Sequence, residues 1–181
     1  MKYLNKEIEN KLKNRGAELI RFVNISHLGE KQNRQVPKAI VFALPLTAEY
    51  IKMVFDTPDY VQARIDDNYN FAADEYTQTE YKAGEIADEL TQFLTGRGYK
   101  AVSQSDAGLL ADGVFDYEPL YPKCGNCLTC VNICERKVLK GKTWSNSVSR
   151  DEIVNIHGCS TCLKCLVHCP RTQIYRKRNS K

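Results

Sequence analysis

Two eleven-residue segments hold all eight cysteines of the chain: CGNCLTCVNIC, from Cys124 to Cys134, and CSTCLKCLVHC, from Cys159 to Cys169. Each reads C-x2-C-x2-C-x3-C, and residues 1–123 contain no cysteine. Thiols at this density must either be cross-linked or carry metal. The opening stretch MKYLNKEIENKLKNRG has no continuous apolar run and does not read as a secretory signal. No run of about 18 apolar residues suggests a membrane span, so no membrane partner is expected. The expected location is therefore cytoplasmic and reducing. Disulfides are disfavoured there, and dense cysteine spacing points to metal.

Zinc and iron–sulfur chemistry ask for different spacings. A structural zinc site gathers two separated pairs of ligands into a tetrahedron. A third cysteine at the same short spacing has no role in such a site. A four-iron cubane takes three ligands at i, i+3 and i+6 from one tight loop and a fourth from elsewhere. In the two-cluster bacterial pattern the fourth cysteine of each run serves the other cluster. This gives two 4Fe-4S clusters. Cluster I is assigned to Cys124, Cys127, Cys130 and Cys169. Cluster II is assigned to Cys159, Cys162, Cys165 and Cys134. The second run continues into Pro170, whereas the first continues into Glu135. Proline there fixes φ and directs the chain away from the cluster. Its absence is expected to loosen the geometry near Cys134 without removing a ligand.

Charge is unevenly distributed. Residues 1–118 carry 14 Lys/Arg against 19 Asp/Glu, a net of −5, and residues 119–181 carry 12 against 3, a net of +9. A basic segment suggests nucleic acid or an acidic protein partner. Two oxidised thiolate-bound clusters would offset about four of those positive charges. The tail RTQIYRKRNSK keeps five Lys/Arg. It reads as a solvated terminus or, more sharply, as a docking patch.

The N-terminal part shows mixed periodicity. Tyr3, Leu4, Ile8 and Leu12 lie at helical spacing, with Gly16 as a C-cap. AELIRFVNI (17–25) reads as a strand. PKAIVFALPL (37–46) reads as a second strand, apolar on both faces and hence central and buried. TAEYIKMVF (47–55) reads as a short helix. Apolar and aromatic residues from Tyr60 to Leu94 predict a long helix with a soft point at Gly84. GRGYKAVSQS (96–105) ends it and opens a third strand. No catalytic constellation stands out, and no catalytic residue is assigned. Asp66 and Asp67 read as a solvated pair and His27 as an exposed loop residue. Tyr69, Tyr76 and Tyr81 read as packing at the core edge. There is no glycine-rich phosphate loop.

The order of these pieces resembles the epoxyqueuosine reductase-like iron–sulfur proteins. The resemblance is carried by LKNRGAELIRFVNISHL, VPKAIVFALPL, the long segment DYVQARIDDNYNFAADEYTQTEYKAGEIADELTQFLTGRGYKAV, KGKTWSNSVSRDEI and both cysteine runs. It implies an N-terminal domain that holds cobalamin, two 4Fe-4S clusters that deliver electrons, and reduction of epoxyqueuosine in tRNA. The family carries a long stretch before its first cluster, with a Gly-Trp-Ile-Gly-Lys-Asn-like segment. Here only residues 106–123 stand between the third expected strand and Cys124, and the one tryptophan, Trp144, lies between the cysteine runs. The resemblance is thus to a shortened member.

The expected fold class is α+β. A small α/β domain, residues 1–118, has three or more strands with covering helices, and a two-cluster ferredoxin-like module spans 119–181. Three functions follow. The leading one is an iron–sulfur electron carrier or reductase subunit, passing single electrons to or from an acidic or corrinoid-containing redox partner. The second is a cobalamin-dependent reductase acting on tRNA, alone or as an oligomer. The third is an interaction module with structural clusters.

Overall fold

Leu4, Ile8 and Leu12, spaced one turn apart, form one face of helix α1 (Lys2–Asn14). The structure is a computed structural model, and it describes residues 2–27, 29–57, 71–103, 126–142 and 148–179. Its contacts divide the chain into two units: Met1–Pro45 with Tyr76–Tyr117, and Leu46–Glu75 with Glu118–Lys181. Residues 46–75 therefore group with the cysteine segment. The expected division placed them with the N-terminal domain.

In the first unit, α1 ends at Gly16, whose φ of +96° allows the N–H of Ala17 to reach back to Leu12 O at 3.0 Å. Only glycine adopts that left-handed conformation at little cost, which is why the helix stops there. Strand β1 (Leu19–Asn24) pairs antiparallel with β2 (Lys38–Ala43), in a register that sets Leu19 opposite Ala43 and Asn24 opposite Lys38. The connection between them includes the short helix α2 (Glu30–Asn33). Helix α3 (Ala48–Asp56) belongs to the second unit. Helix α4 (Glu75–Thr95) follows a 3-10 turn at Phe71–Ala73 and is continuous across Gly84. It closes with the same device as α1: Gly98 has φ +80°, and Tyr99 N–H reaches Leu94 O at 3.1 Å.

The core of this unit is Ile8, Leu12, Ala17, Ile86 and Leu90, with Ile20, Ile40, Phe42 and Phe93 packed against it. Ile8/Leu12 and Ile86/Leu90 are both i, i+4 pairs, so one stripe of each helix faces one side of the hairpin. Arg97 donates to both carboxylate oxygens of Glu7, at 2.6 and 2.8 Å, and lies over the Phe93 ring. That bidentate contact draws the Glu7 carboxyl below its ordinary pKa. Leu12 is 1% exposed. Leu12→Ala is expected to destabilise this unit by about 2–5 kcal/mol. Denaturant unfolding followed by circular dichroism, with faster hydrogen exchange in α1 and α4, checks it.

Two expectations on strands are corrected. Among the described residues the sheet has two strands, not three or more, and the class is a loose α+β mixture of helices with one antiparallel hairpin. β2 is not a central buried strand: β1 is its one neighbour in the sheet, its four middle residues are half-buried and its ends are exposed. Its apolar run reflects packing of one face on α1 and α4, with the other only partly shielded. The third expected strand is irregular over Tyr99–Ser103, and residues 104–105 lie outside the described residues. Its polar side chains bond instead to the preceding helix and the hairpin connection, Ser103 to Asp88 and Lys100 to Gln35. The Tyr60–Asn70 part of the long helix, with Asp66, Asp67 and Tyr69, also lies outside the described residues. His27 is exposed, as expected.

The second unit is organised on helix α3 (Ala48–Asp56). Thr47 caps it, its hydroxyl accepting from Tyr50 N–H at 3.1 Å. The Thr47 hydroxyl in turn donates to the Glu75 carboxylate at 2.6 Å. Tyr50, Ile51 and Val54 are buried on one face. Tyr50 donates its hydroxyl to Asp74 at 2.7 Å, so the carboxylate of this buried residue (1% exposed) is hydrogen-bonded.

Candidate metal centre

The helices of the cysteine segment are α5 (Thr129–Ile133), α6 (Arg150–Ile153) and α7 (Lys164–Val167), each of four or five residues, and the ten-residue α8 (Pro170–Asn179); Cys130 lies on α5 and Cys165 on α7. Helices of four or five residues do not persist alone in water. Here α7 and α8 pack on α3, and α5 packs on α7. Val167, 1% exposed, is the buried anchor of α7. His168 stacks on Phe55 at 4.8 Å between ring centroids, and the Arg176 guanidinium lies 5.0 Å from the same ring. The Tyr175 hydroxyl reaches Leu46 O at 3.4 Å. Helix α3 thus serves as the floor of the cysteine segment.

Two links bring the cysteine runs together. Leu139 and Val154 form an isolated antiparallel bridge, flanked by Lys140 N–H to Ile153 O (2.8 Å) and Asn155 N–H to Val138 O (2.9 Å). Cys134 precedes one side of this bridge and Cys159 follows the other, so both lead away from the same end. Lys164 of α7 also donates to Glu135 at 2.5 Å. The position expected to loosen for want of a proline is therefore tied by an ion pair to the second run.

The loop around Cys162 has an unusual backbone. Thr161 and Leu163 both take left-handed conformations, with φ of +54° and +59°. For a β-branched threonine this is a steric outlier. The two residues turn the chain on either side of Cys162, and Thr161 N–H points at Cys159 Sγ at 3.4 Å. In the first run the Thr129 hydroxyl and Cys127 Sγ lie 3.4 Å apart.

Burial pushes the Cys165 thiol up, and Cys162, Cys159 and Cys134 push it further. Three of these four come from the second run and one from the first. They are the four assigned to cluster II. Hydrogen bonding from Thr129 holds the Cys127 thiol below its ordinary range, and Arg171 adds to this. Arg171 follows Cys169-Pro170, so the end of the second run comes near the first. Cys127, Cys130, Cys134, Cys159, Cys162, Cys165 and Cys169 are all free thiols, while Cys124 lies outside the described residues. Among the described residues, no three His, Cys, Asp or Glu side chains are closed into a metal-holding group. The donor set around Cys165 is nonetheless all thiol, which is what a 4Fe-4S cluster takes. No helix among the described residues is long and apolar enough to cross a membrane.

No known protein family, curated protein or solved structure matches the chain.

Sequence reasoning missed α3 as part of the site and missed the partner of Glu135. The proline-to-glutamate departure was visible, but nothing local pointed to Lys164, 29 residues away. The burial of Tyr50, Ile51 and Val54 was readable as helix amphipathicity, not as support for the cysteines.

Proposed function

We propose that the second unit is a ferredoxin-like electron-transfer module with two 4Fe-4S clusters. Cys124, Cys127, Cys130 and Cys169 would hold cluster I, and Cys159, Cys162, Cys165 and Cys134 would hold cluster II. One observation carries this reading: the Leu139–Val154 bridge, the packing of α5 on α7 and the Lys164–Glu135 pair bring the Cys134 end of the first run to the second, as crossed ligation requires. Such clusters supply one-electron transfer when bound. The chain's own residues orient and tune. The Thr129 hydroxyl lies against Cys127 Sγ and favours negative charge there, and the Thr161 N–H points at Cys159 Sγ. The left-handed residues Thr161 and Leu163 cost about 1–3 kcal/mol each and persist only where other interactions hold them. Bonds from the three thiolates of this loop would do so.

The fitting partner is a redox protein with an acidic face. Helix α8 carries Arg171, Arg176, Lys177 and Arg178, and its exposed Ile174 adds an apolar contact. Association by charge would be fast at low salt and slower at high salt. The corrinoid-reductase reading has less support. The cleft between α1 and α4, lined by Leu12, Ile86, Leu90 and Phe93, holds about 230 Å3. Sites for drug-sized ligands run to about 300–1,000 Å3, and a corrinoid is larger than those ligands.

The test is anaerobic reconstitution followed by metal analysis, an ultraviolet–visible spectrum and titration with cob(II)alamin. About eight irons per chain are expected. Stoichiometric zinc with little iron would sink the reading. Submicromolar corrinoid binding with turnover of epoxyqueuosine-containing tRNA would replace it with the reductase.

A further inference from the structure

Thr129 uses its hydroxyl differently from the threonines of α4. Thr91 and Thr95 turn theirs back onto the preceding turn, to Ala87 O and Thr91 O, both at 2.9 Å. Thr129 is the first residue of α5, so no turn of that helix precedes it, and the helix starts without a side-chain cap. The Thr129 hydroxyl lies 3.4 Å from Cys127 Sγ. Thr129 is half-buried and Cys127 is exposed. The hydroxyl is thus partly sheltered from the water that Cys127 meets.

A cysteine sulfur that ligates iron carries no proton. Between Cys127 Sγ and Thr129, the hydroxyl is then the donor. Hydrogen bonds to a charged acceptor are stronger than those between neutral groups. Such a bond tightens as the sulfur gains negative charge, so it favours the reduced cluster, and hydrogen bonds to sulfur are among the features that set cluster potentials. The second run differs at the matching position. Aligning Cys124 with Cys159 sets Thr129 against Lys164. Lysine has no hydroxyl, and the Lys164 ammonium donates to Glu135.

We propose that Thr129, by donating its hydroxyl to Cys127 Sγ, raises the reduction potential of the cluster at Cys124, Cys127, Cys130 and Cys169 and leaves that of the other cluster unmoved. This rests on the two-cluster reading. Reduction adds one electron to the cluster, supplied by the reductant of the titration. No proton moves, and no bond to iron forms or breaks. Thr129 tunes a ligand and is not itself one. It biases a transferred electron toward cluster I, whose Cys127 is open to a partner.

The experiment is an anaerobic redox titration of the full chain, followed by electron paramagnetic resonance. Iron content of the wild-type protein is measured first, so that failure of the two-cluster reading shows as fewer than about eight irons before any potential is compared. Cys165→Ser, which empties or shifts cluster II, identifies the two potentials. Thr129→Val removes the hydroxyl at nearly constant size. It is expected to make reduction of cluster I about fivefold less favourable, about 41 mV for a one-electron couple, with cluster II unmoved. Thr129→Ser keeps the hydroxyl and should retain most of the wild-type potential. A packing role would predict the reverse, since valine keeps the shape of threonine and serine does not. Should Thr129→Val not load cluster I, Thr129→Ala takes its place. Loss of cluster I in both would make Thr129 a structural residue and overturn the proposal. Equal shifts of both clusters, or an unmoved cluster I in a hydroxyl-free variant, would also overturn it.

Discussion

Replacing Cys134 with alanine is expected to remove the cluster held by Cys159, Cys162 and Cys165, lowering iron from about eight to about four per chain. Cys134 is the last cysteine of the other run, so a purely local reading of the sequence would predict loss of the nearer cluster. The geometry argues otherwise. Cys134 caps the end of α5 as an extended residue, with φ −72° and ψ 103°, which carries the chain on toward the Leu139–Val154 bridge. The packing of α5 on α7 and the Glu135–Lys164 pair then hold Cys134 on the side of the second run. The mirror variant, Cys169→Ala, should remove the cluster at Cys124, Cys127 and Cys130 for the same reason, and the Arg171 charge, two residues after Cys169, is felt at Cys127. Iron counts and resolved paramagnetic spectra check both. If Cys134→Ala spared the second-run cluster and emptied the first, the crossed assignment would be wrong.

Stripping the metal with an anaerobic chelator is expected to abolish hydrogen-exchange protection in α3, although this helix lies some seventy residues before the first cysteine run. The buried apolar residues of the second unit among those described are Ala48, Tyr50, Ile51, Val54, Val138 and Val167. They are few and mostly small, and α5 and α7 span five and four residues. On the two-cluster proposal, such a unit has too little core to hold itself together alone and would depend on its clusters for folding. When α7 and α8 loosen, the face of α3 carrying Ile51 and Val54 loses its cover. Exchange across Ala48–Asp56 should accelerate about a hundredfold or more, a local loss of about 2.8 kcal/mol. Helices α1 and α4, with the core of Ile8, Leu12, Ile86 and Leu90, should keep their protection. Equal loss in both units would show that they do not fold separately, and an unchanged α3 would show that it does not depend on the cysteine segment.

Local spacing was enough to determine several features. The stripe of Leu4, Ile8 and Leu12 made α1, and the glycines at 16 and 98 ended α1 and α4, because only glycine sits easily at positive φ. Thr47 before Ala48 and Glu49 marked the start of α3 by capping chemistry. The two cysteine runs set eight thiols at a repeated C-x2-C-x2-C-x3-C spacing, and spacing in a tight loop is itself a local property.

What needed the tertiary structure was each question of who lies beside whom. The apolar run of β2 looked central, but a strand's place depends on which edges find partners, and among the described residues only β1 supplies one. The segment after Gly98 has strand-like residues, yet its side chains found partners in α4 and the hairpin connection before any ladder could form. Helix α3 belonged by sequence order to the N-terminal part and by packing to the cysteines, since burying Ile51 and Val54 rewards whichever apolar surface meets them, however distant in the chain. The Glu135–Lys164 pair was invisible for the same reason. A sequence shows two charges, but only the fold decides that they meet, with the Lys164 side chain mostly covered and that of Glu135 in water.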